Sequence, residues 1–324
     1  MPHPHITSVG TPLFYAVFFA VVLLMIVIDM LTLKKEGVHK VSTKEALLWS
    51  IVWVTVSLAF AVWLYFELAG NPQVGPVVAK DKVLAYLTGY VLEKSLAVDN
   101  IFVFVLIFSY FKVPAAYQHR VLLYGVLGAI VLRAIMVWLG AVLVSEFEWV
   151  LYLFGVFLVY SGIKMMLPEK GEPADFGENP AVKWLTRHIH ISKNFDKEKF
   201  FTIENGKRVG TPLLLVLIVV ELSDVVFAVD SIPAVFAVTT DPFIVLTSNI
   251  FAVLGLRAMY FLLANVVEKF TYLKFGLAFV LTFIGVKMLI AGWYHIPTHI
   301  SLLVVFSALL LSILASWLKQ EKQA

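Results

Sequence analysis

Apolar runs of about 20 residues recur along this chain, and no other feature restricts its fold as strongly. In hydrocarbon every backbone amide and carbonyl must find its partner within the protein, so such runs become helices. Nine spans are expected on that rule, at about 12–33, 46–67, 83–109, 120–144, 149–167, 211–238, 244–266, 273–292 and 298–318. The expected fold class is an all-α polytopic membrane protein, one transmembrane domain covering residues 1–324. Composition agrees, with 60% hydrophobic and only 15% charged residues and a mean hydropathy of +0.90. The first run is long and lacks a small-residue cleavage site after it, so it reads as a retained helix.

Orientation follows from lysine and arginine in the short connections. Lys34, Lys35, Lys40 and Lys44 follow the first span, Lys112 and Arg120 the third, and Lys269 and Lys274 the seventh. The connections Ser145–Trp149, Thr239–Pro242 and Gly292–Pro297 carry none, while Lys80 and Lys82 are a mild exception. The N-terminus is therefore expected outside and the C-terminus, with Lys319 and Lys322, inside. Trp149, Trp293 and Tyr294 fall at span ends, where aromatic rings favour the interface. One long cytoplasmic insertion, about 168–210, holds Asn179-Pro180, which reads as the start of a short helix through Leu185. It also holds a hairpin over about 200–209 with Asn205-Gly206 at its turn. His188 and His190 in this insertion read as ordinary loop histidines.

The chain repeats itself. Leu96-Ala-Val-Asp99-Asn100 matches Phe227-Ala-Val-Asp230-Ser231, each with an acid six residues earlier, Glu93 or Asp224. Leu132-Arg133-Ala134 then matches Leu256-Arg257-Ala258, and Gly162-Ile-Lys164-Met165 matches Gly285-Val-Lys287-Met288. Each copy covers three spans, about 83–167 and 211–292, and an odd number of crossings inverts the second copy. A 3+3 inverted repeat is a transporter signature, with the site near the midplane where the copies meet.

Charge inside the spans does not balance. Six acids, Asp29, Glu93, Asp99, Glu221, Asp224 and Asp230, face three well-buried bases, Lys94, Arg133 and Arg257; Lys164 and Lys287 lie nearer span ends and can snorkel. Each mid-bilayer carboxylate costs about 2.5–3.5 kcal/mol even on the lenient insertion scale. The surplus negative charge calls for bound cations, protons or water. Residues seven apart share a helix face, so Glu93 stacks over Asn100 and Asp224 over Ser231, whereas Asp99 and Asp230 point elsewhere on a straight helix. Pro233 is expected to kink the second copy and swing Asp230 toward the others. Carboxylates with amide oxygens from Asn100 or Asn249 and hydroxyls from Ser231 or Ser223 form a hard ligand set, suited to manganese, magnesium or calcium. The chain has no cysteine, which removes thiolate sites, and its eight methionines are scattered as packing residues. His295 and His299 sit near the outer boundary. Nothing in the charge pattern supports nucleic-acid binding.

Tyr90-Val-Leu-Glu93-Lys-Ser-Leu-Ala-Val-Asp99-Asn100, Glu221-Leu-Ser-Asp224-Val-Val-Phe-Ala-Val-Asp230-Ser231-Ile-Pro-Ala234 and Thr247-Ser248-Asn249 resemble the signatures of the TerC family, its alkaline-induced branch in particular. The resemblance covers nearly the whole chain. It implies an inner-membrane protein that exports manganese, with Glu93, Asp99, Asn100, Glu221, Asp224, Asp230 and Ser231 handling the ion. Arg133, Arg257 and Lys94 would then be counter-charges. It implies no organic cofactor and no enzymatic activity, only Mn2+ as cargo and protons as a coupling candidate. Tellurite, an anion, would be repelled by such a path. Three alternatives stand beside this reading: calcium or magnesium exchange on the same ligands, a scaffold working through the 168–210 insertion, and an intramembrane aspartyl protease. The last would need a Gly-x-Gly-Asp motif, which is absent.

Overall fold

The computed structural model describes residues 8–36, 42–147, 149–167, 183, 187, 190–204, 206–264, 272–294 and 296–321. Ten helices carry the chain: α1 (Pro12–Glu36), α2 (Thr43–Ala69), α3 (Gly75–Tyr110), α4 (Ala115–Glu146), α5 (Val150–Met166), α6 (Pro212–Phe236), α7 (Pro242–Leu254), α8 (Leu256–Leu263), α9 (Leu273–Ile290) and α10 (Thr298–Glu321). Helix starts carry their local signals. Ser42 and Glu45 form a reciprocal capping box on α2, and α3, α6 and α7 each have a first-turn proline. Asp241 caps α7 by accepting from Phe243 N at 3.1 Å.

Six helices, α1, α2, α4, α6, α9 and α10, are long and apolar enough to cross a membrane, and α7 with α8 would make a seventh. This is fewer than the nine expected from hydropathy alone, for two physical reasons. Helix α5 has 17 residues, about 25 Å at 1.5 Å per residue, against a hydrocarbon core of about 30 Å. Helix α3, 36 residues long, carries Glu93, Lys94 and Asp99 in its otherwise apolar part. The expected single span over 244–266 is two helices bent by 41° at Gly255. Pro233, by contrast, sits three residues from the end of α6, which continues through it to Phe236 without the expected swing.

Side chains on one face of each helix interlock while the opposite faces expose Leu, Ile, Phe and Trp, as lipid-facing surfaces do. Phe18, Phe60, Tyr86 and Phe251 knit α1, α2, α3 and α7, with the Phe60 and Phe251 rings 4.9 Å apart. The closest helix pair is α5 with α9. A Cβ on Gly285 would stand 2.7 Å from the Gly155 carbonyl, and one on Gly162 would stand 2.7 Å from the Ala278 carbonyl. Small residues let these backbones touch, the packing that membranes favour when apolar burial supplies no drive.

The expected hairpin forms from β1 (Phe201–Glu204) and β2 (Lys207–Gly210), with Gly206 at φ +74° in the turn. Thr211 follows β2 directly and opens α6. The short helix expected after Asn179-Pro180, and His188, Asn205, Lys40, Lys269, His295 and Lys322, lie outside the described residues, as do the side chains of Lys34 and Lys35. His190 pairs only its carbonyl, with Gly210 N at 2.9 Å. His299 is exposed in the first turn of α10.

Candidate functional site

At the centre of the bundle stands Arg133 of α4, 1% exposed. It grips Asp224 of α6 with two parallel bonds, Nη2 to Oδ1 at 2.8 Å and Nε to Oδ2 at 3.1 Å. Its Nη1 donates to Glu93 Oε1 on α3 and to Asn249 Oδ1 on α7, the latter at 2.9 Å. Asn249 in turn donates from Nδ2 to Glu93 Oε2 at 3.1 Å. Four helices from both repeat copies therefore meet on one guanidinium. The planar fork of arginine makes this possible, since an ammonium has no geometry for a bidentate carboxylate. One positive charge faces two carboxylates, so the cluster keeps a net negative charge.

The third acid of α6, Glu221, lies one turn before Asp224 and against Gly128 of α4, where any Cβ would overlap its carboxyl group. Its Oε2 is buried without a hydrogen-bond partner. Asn100 Oδ1 and Ser231 Oγ, the equivalent positions of the two copies, are likewise buried and unpartnered. Buried polar oxygens without partners are rare and each asks for an explanation. A cavity of about 10 Å³, room for one water, reaches Asp224 between Phe104, Leu122, Val126 and Val220.

The other expected site residues whose side chains are described make their contacts outside this cluster. Asp230 faces α5 and accepts from Ser161 Oγ at 3.1 Å. Arg257 pairs with Asp29 of α1 and leaves the central acids to Arg133. Lys94 donates to the Ala252 carbonyl at 2.9 Å, at the end of α7 where the break at Gly255 frees carbonyls, and no acid among the described side chains pairs with it. Lys287 is buried and bonded to Ser301 Oγ at 2.8 Å; it does not reach for an interface. Ser223 bonds the Val219 carbonyl of its own helix. Asp99 lies on α3, but its side chain is outside the described residues. Among the described residues no three of Asp, Glu and His stand close enough to hold a metal ion together.

Sequence reasoning missed Asp241. It accepts from Lys82 Nζ at 2.7 Å, Val9 N at 3.0 Å and Ser8 Oγ at 3.0 Å, tying the N-terminal segment and α3 to the start of α7. Asp-Pro before an apolar run signals a helix cap, but its distant partners leave no local trace.

Comparison with known proteins gives the family. The model described as "Integral membrane protein TerC family" matches residues 78–324. Proteins of Shigella flexneri and Escherichia coli K12, each named "Putative membrane-bound redox modulator Alx", are 55% identical over 319 residues, covering 98% of this chain and 99% and 98% of theirs. A Myxococcus xanthus protein named "Uncharacterized membrane protein STKORF319" is 48% identical over 315 residues, covering 97% of this chain and 95% of its own. No solved structure matches. The chain belongs to the TerC family of integral membrane proteins.

Proposed function

We propose that this protein moves a divalent cation, manganese, out across the bacterial inner membrane through the acid cluster around Arg133. The observation that carries the reading is the charge imbalance at the centre. One guanidinium meets Glu93 and Asp224, Glu221 adds a carboxyl with a buried unpartnered oxygen, and Asn100 and Ser231 offer further oxygens. A structural network would be expected to balance; a hard-cation path has use for the surplus. Entry of an ion requires Arg133 to release at least one carboxylate, which makes Arg133 a competitor for the seat. Asp99 and Asp230 would line the approach on either side, and Lys94 and Arg257 would hold the α7–α8 break and α1 in place.

Nine crossings with an inverted repeat suit the relative senses of the helices. Gly125, Gly128, Arg133 and Gly140 of α4 meet Val220, Glu221, Asp224 and Phe236 of α6 in ascending order, so these two helices are parallel. Lys82, Gly89 and Lys94 of α3 meet Asp241, Ser248 and Ala252 of α7 in the same manner. Gly155 and Gly162 of α5 meet α9 in descending order, so that pair is antiparallel. If α5 did not cross, α4 and α6 would oppose each other. If α7–α8 were re-entrant, α5 and α9 would run alike. Counting α3, α5 and the bent pair as crossings satisfies all three relations and puts the two termini on opposite sides; the lysine and arginine bias of the connections favours the N-terminus outside. With no cysteine in the chain, a redox role like that in the relatives' name could not run through a thiol here. Moving a redox-active metal would serve it.

The test is manganese flux in proteoliposomes, with calcium and magnesium as comparisons and a pH dye inside. Manganese-selective flux that collapses in Asp224→Asn, with opposite proton movement, is the expected result. Absence of flux for all three ions from well-folded protein would overturn the reading and leave the acids as a structural network.

A further inference from the structure

We infer that the hairpin β1–β2 is a membrane-surface anchor whose outer face binds anionic lipid headgroups. The register sets Phe201 opposite Gly210, Thr202 opposite Val209, Ile203 opposite Arg208 and Glu204 opposite Lys207. Directly opposed residues share a face, so the two faces differ in kind. One carries Thr202, bonded to Asp196 at 2.9 Å, and Val209, which is buried. The other carries Phe201, Ile203 and Arg208, with Ile203 75% and Phe201 43% exposed, and with the Arg208 guanidinium 4.2 Å from the centre of the Phe201 ring. An aromatic ring, a branched aliphatic and an arginine on one exposed face have the composition of an interfacial anchor.

Two observations bring that face to headgroup level. Phe200, beside the base of the hairpin, packs edge-on against Tyr124 of α4 at 5.1 Å and under Arg120 at 5.5 Å. The apolar run of α4 begins at Val121, so Tyr124 marks its boundary. On the other side, Gly210 leads through Thr211 straight into the apolar α6. The hairpin is thus fastened at its base, where Phe201 pairs with Gly210, to the edge of the apolar zone. Charge favours an anionic partner. Among the described residues 190–210, Glu198 lies 3.6 Å from Arg120 and 3.8 Å from His119, and Asp196 is paired with Lys199 and Thr202. Glu204 faces Lys207 across the strands. Lys193, Lys197 and Arg208 are all exposed and remain for an outside anion. Anionic lipid attracts such residues within a Debye length of the surface.

Because the chain contains no cysteine, a nitroxide can be placed at Ile203→Cys, and for comparison at Glu204→Cys on the opposite face. The full-length protein is reconstituted in nanodiscs of phosphatidylcholine alone and of phosphatidylcholine with phosphatidylglycerol. Collisions with oxygen report contact with the apolar boundary, and collisions with a nickel chelate report contact with water. The expected result is a several-fold higher oxygen-to-nickel ratio at 203 in the anionic discs, little change at 204, and loss of the effect in Arg208→Glu. Equal nickel access at 203 in both lipids and in detergent micelles would overturn the inference. So would a site shielded equally in all three media, which would assign the face to another segment of this chain. The readout is independent of ion flux, so its failure and the failure of the transport reading are separately visible.

Discussion

Replacing Arg133 by alanine tests the central cluster most directly. The wild-type guanidinium is 1% exposed and makes four hydrogen bonds, two to Asp224, one to Glu93 and one to Asn249. Its removal leaves two carboxylates and an amide oxygen facing a buried hole. Breaking a buried ion pair by deleting one partner costs about 3–5 kcal/mol, most of it the penalty on the charge left behind. Arg133→Lys keeps the charge but loses the fork, leaving at least one acceptor unmade and costing about 1–3 kcal/mol. The triple variant Arg133→Leu, Glu93→Gln and Asp224→Asn removes charge on both sides and should fall within about 1 kcal/mol of wild type, since buried ion sets contribute little net stability. Unfolding in mixed micelles with rising SDS, followed by tryptophan fluorescence, gives the three values. A loss below about 1 kcal/mol for Arg133→Ala, no larger than for exposed Lys193→Ala, would refute the reasoning. So would a triple variant as damaged as the single one, because the penalty would then not come from unpaired charge.

Two further outcomes follow from local geometry. Gly128→Ala puts a Cβ where the Glu221 carboxyl lies, and because that group ends a flexible side chain it should swing aside at a cost below about 1 kcal/mol; a loss of about 3 kcal/mol in the same assay, not relieved by Glu221→Ser, would mean that the glycine serves backbone packing instead. In the segment before α6, hydrogen bonds from Thr202 and Lys199 hold the Asp196 carboxyl below its ordinary range. A carboxyl depressed in the folded state stabilises above its unfolded pKa and loses that effect only as pH falls through the folded value. Once corrected for intrinsic rates, hydrogen exchange of the hairpin amides should therefore stay flat from pH 7 to about 5 and accelerate at neutral pH in Asp196→Ala; acceleration of the wild type already above pH 5 would contradict the bonding.

The sequence made some of this plain and concealed the rest for identifiable reasons. The apolar runs and the acids set in them are one-dimensional signals, and the helices fall where hydropathy puts them. The hairpin was legible because Asn-Gly between alternating residues is a local turn code. The break at Gly255 was not, since a lone glycine in a helical pattern only weakens it. What singles it out is the Lys94 ammonium and Trp53 filling the space its Cβ would take, both distant in sequence. While the proline in one copy alone already argues for an asymmetric site, the sequence aligns Arg133 with Arg257 and reads both as counter-charges to the acids. Their partners come from helices outside the local motif, and there the symmetry fails.

Under the proposed transport reading, that failure bears on how an inverted repeat would work as a path. Two identical halves would present the same energy to an ion from either side. Here the first arginine holds an acid from each copy, Glu93 and Asp224, while its counterpart is spent on Asp29 of α1, a helix outside the repeat. The helices that carry them differ too: α4 runs unbroken past Arg133, whereas the partner span breaks immediately before Arg257. Any motion that loosens Arg133 acts on both copies at once, since Glu93, Asp224 and Asn249 all hang on the same side chain. Motion of Arg257 acts on α1 and α8 alone. One half thus holds the lock between the copies and the other holds the bundle's flank, a division of labour that equal arginines in a symmetric pair could not provide.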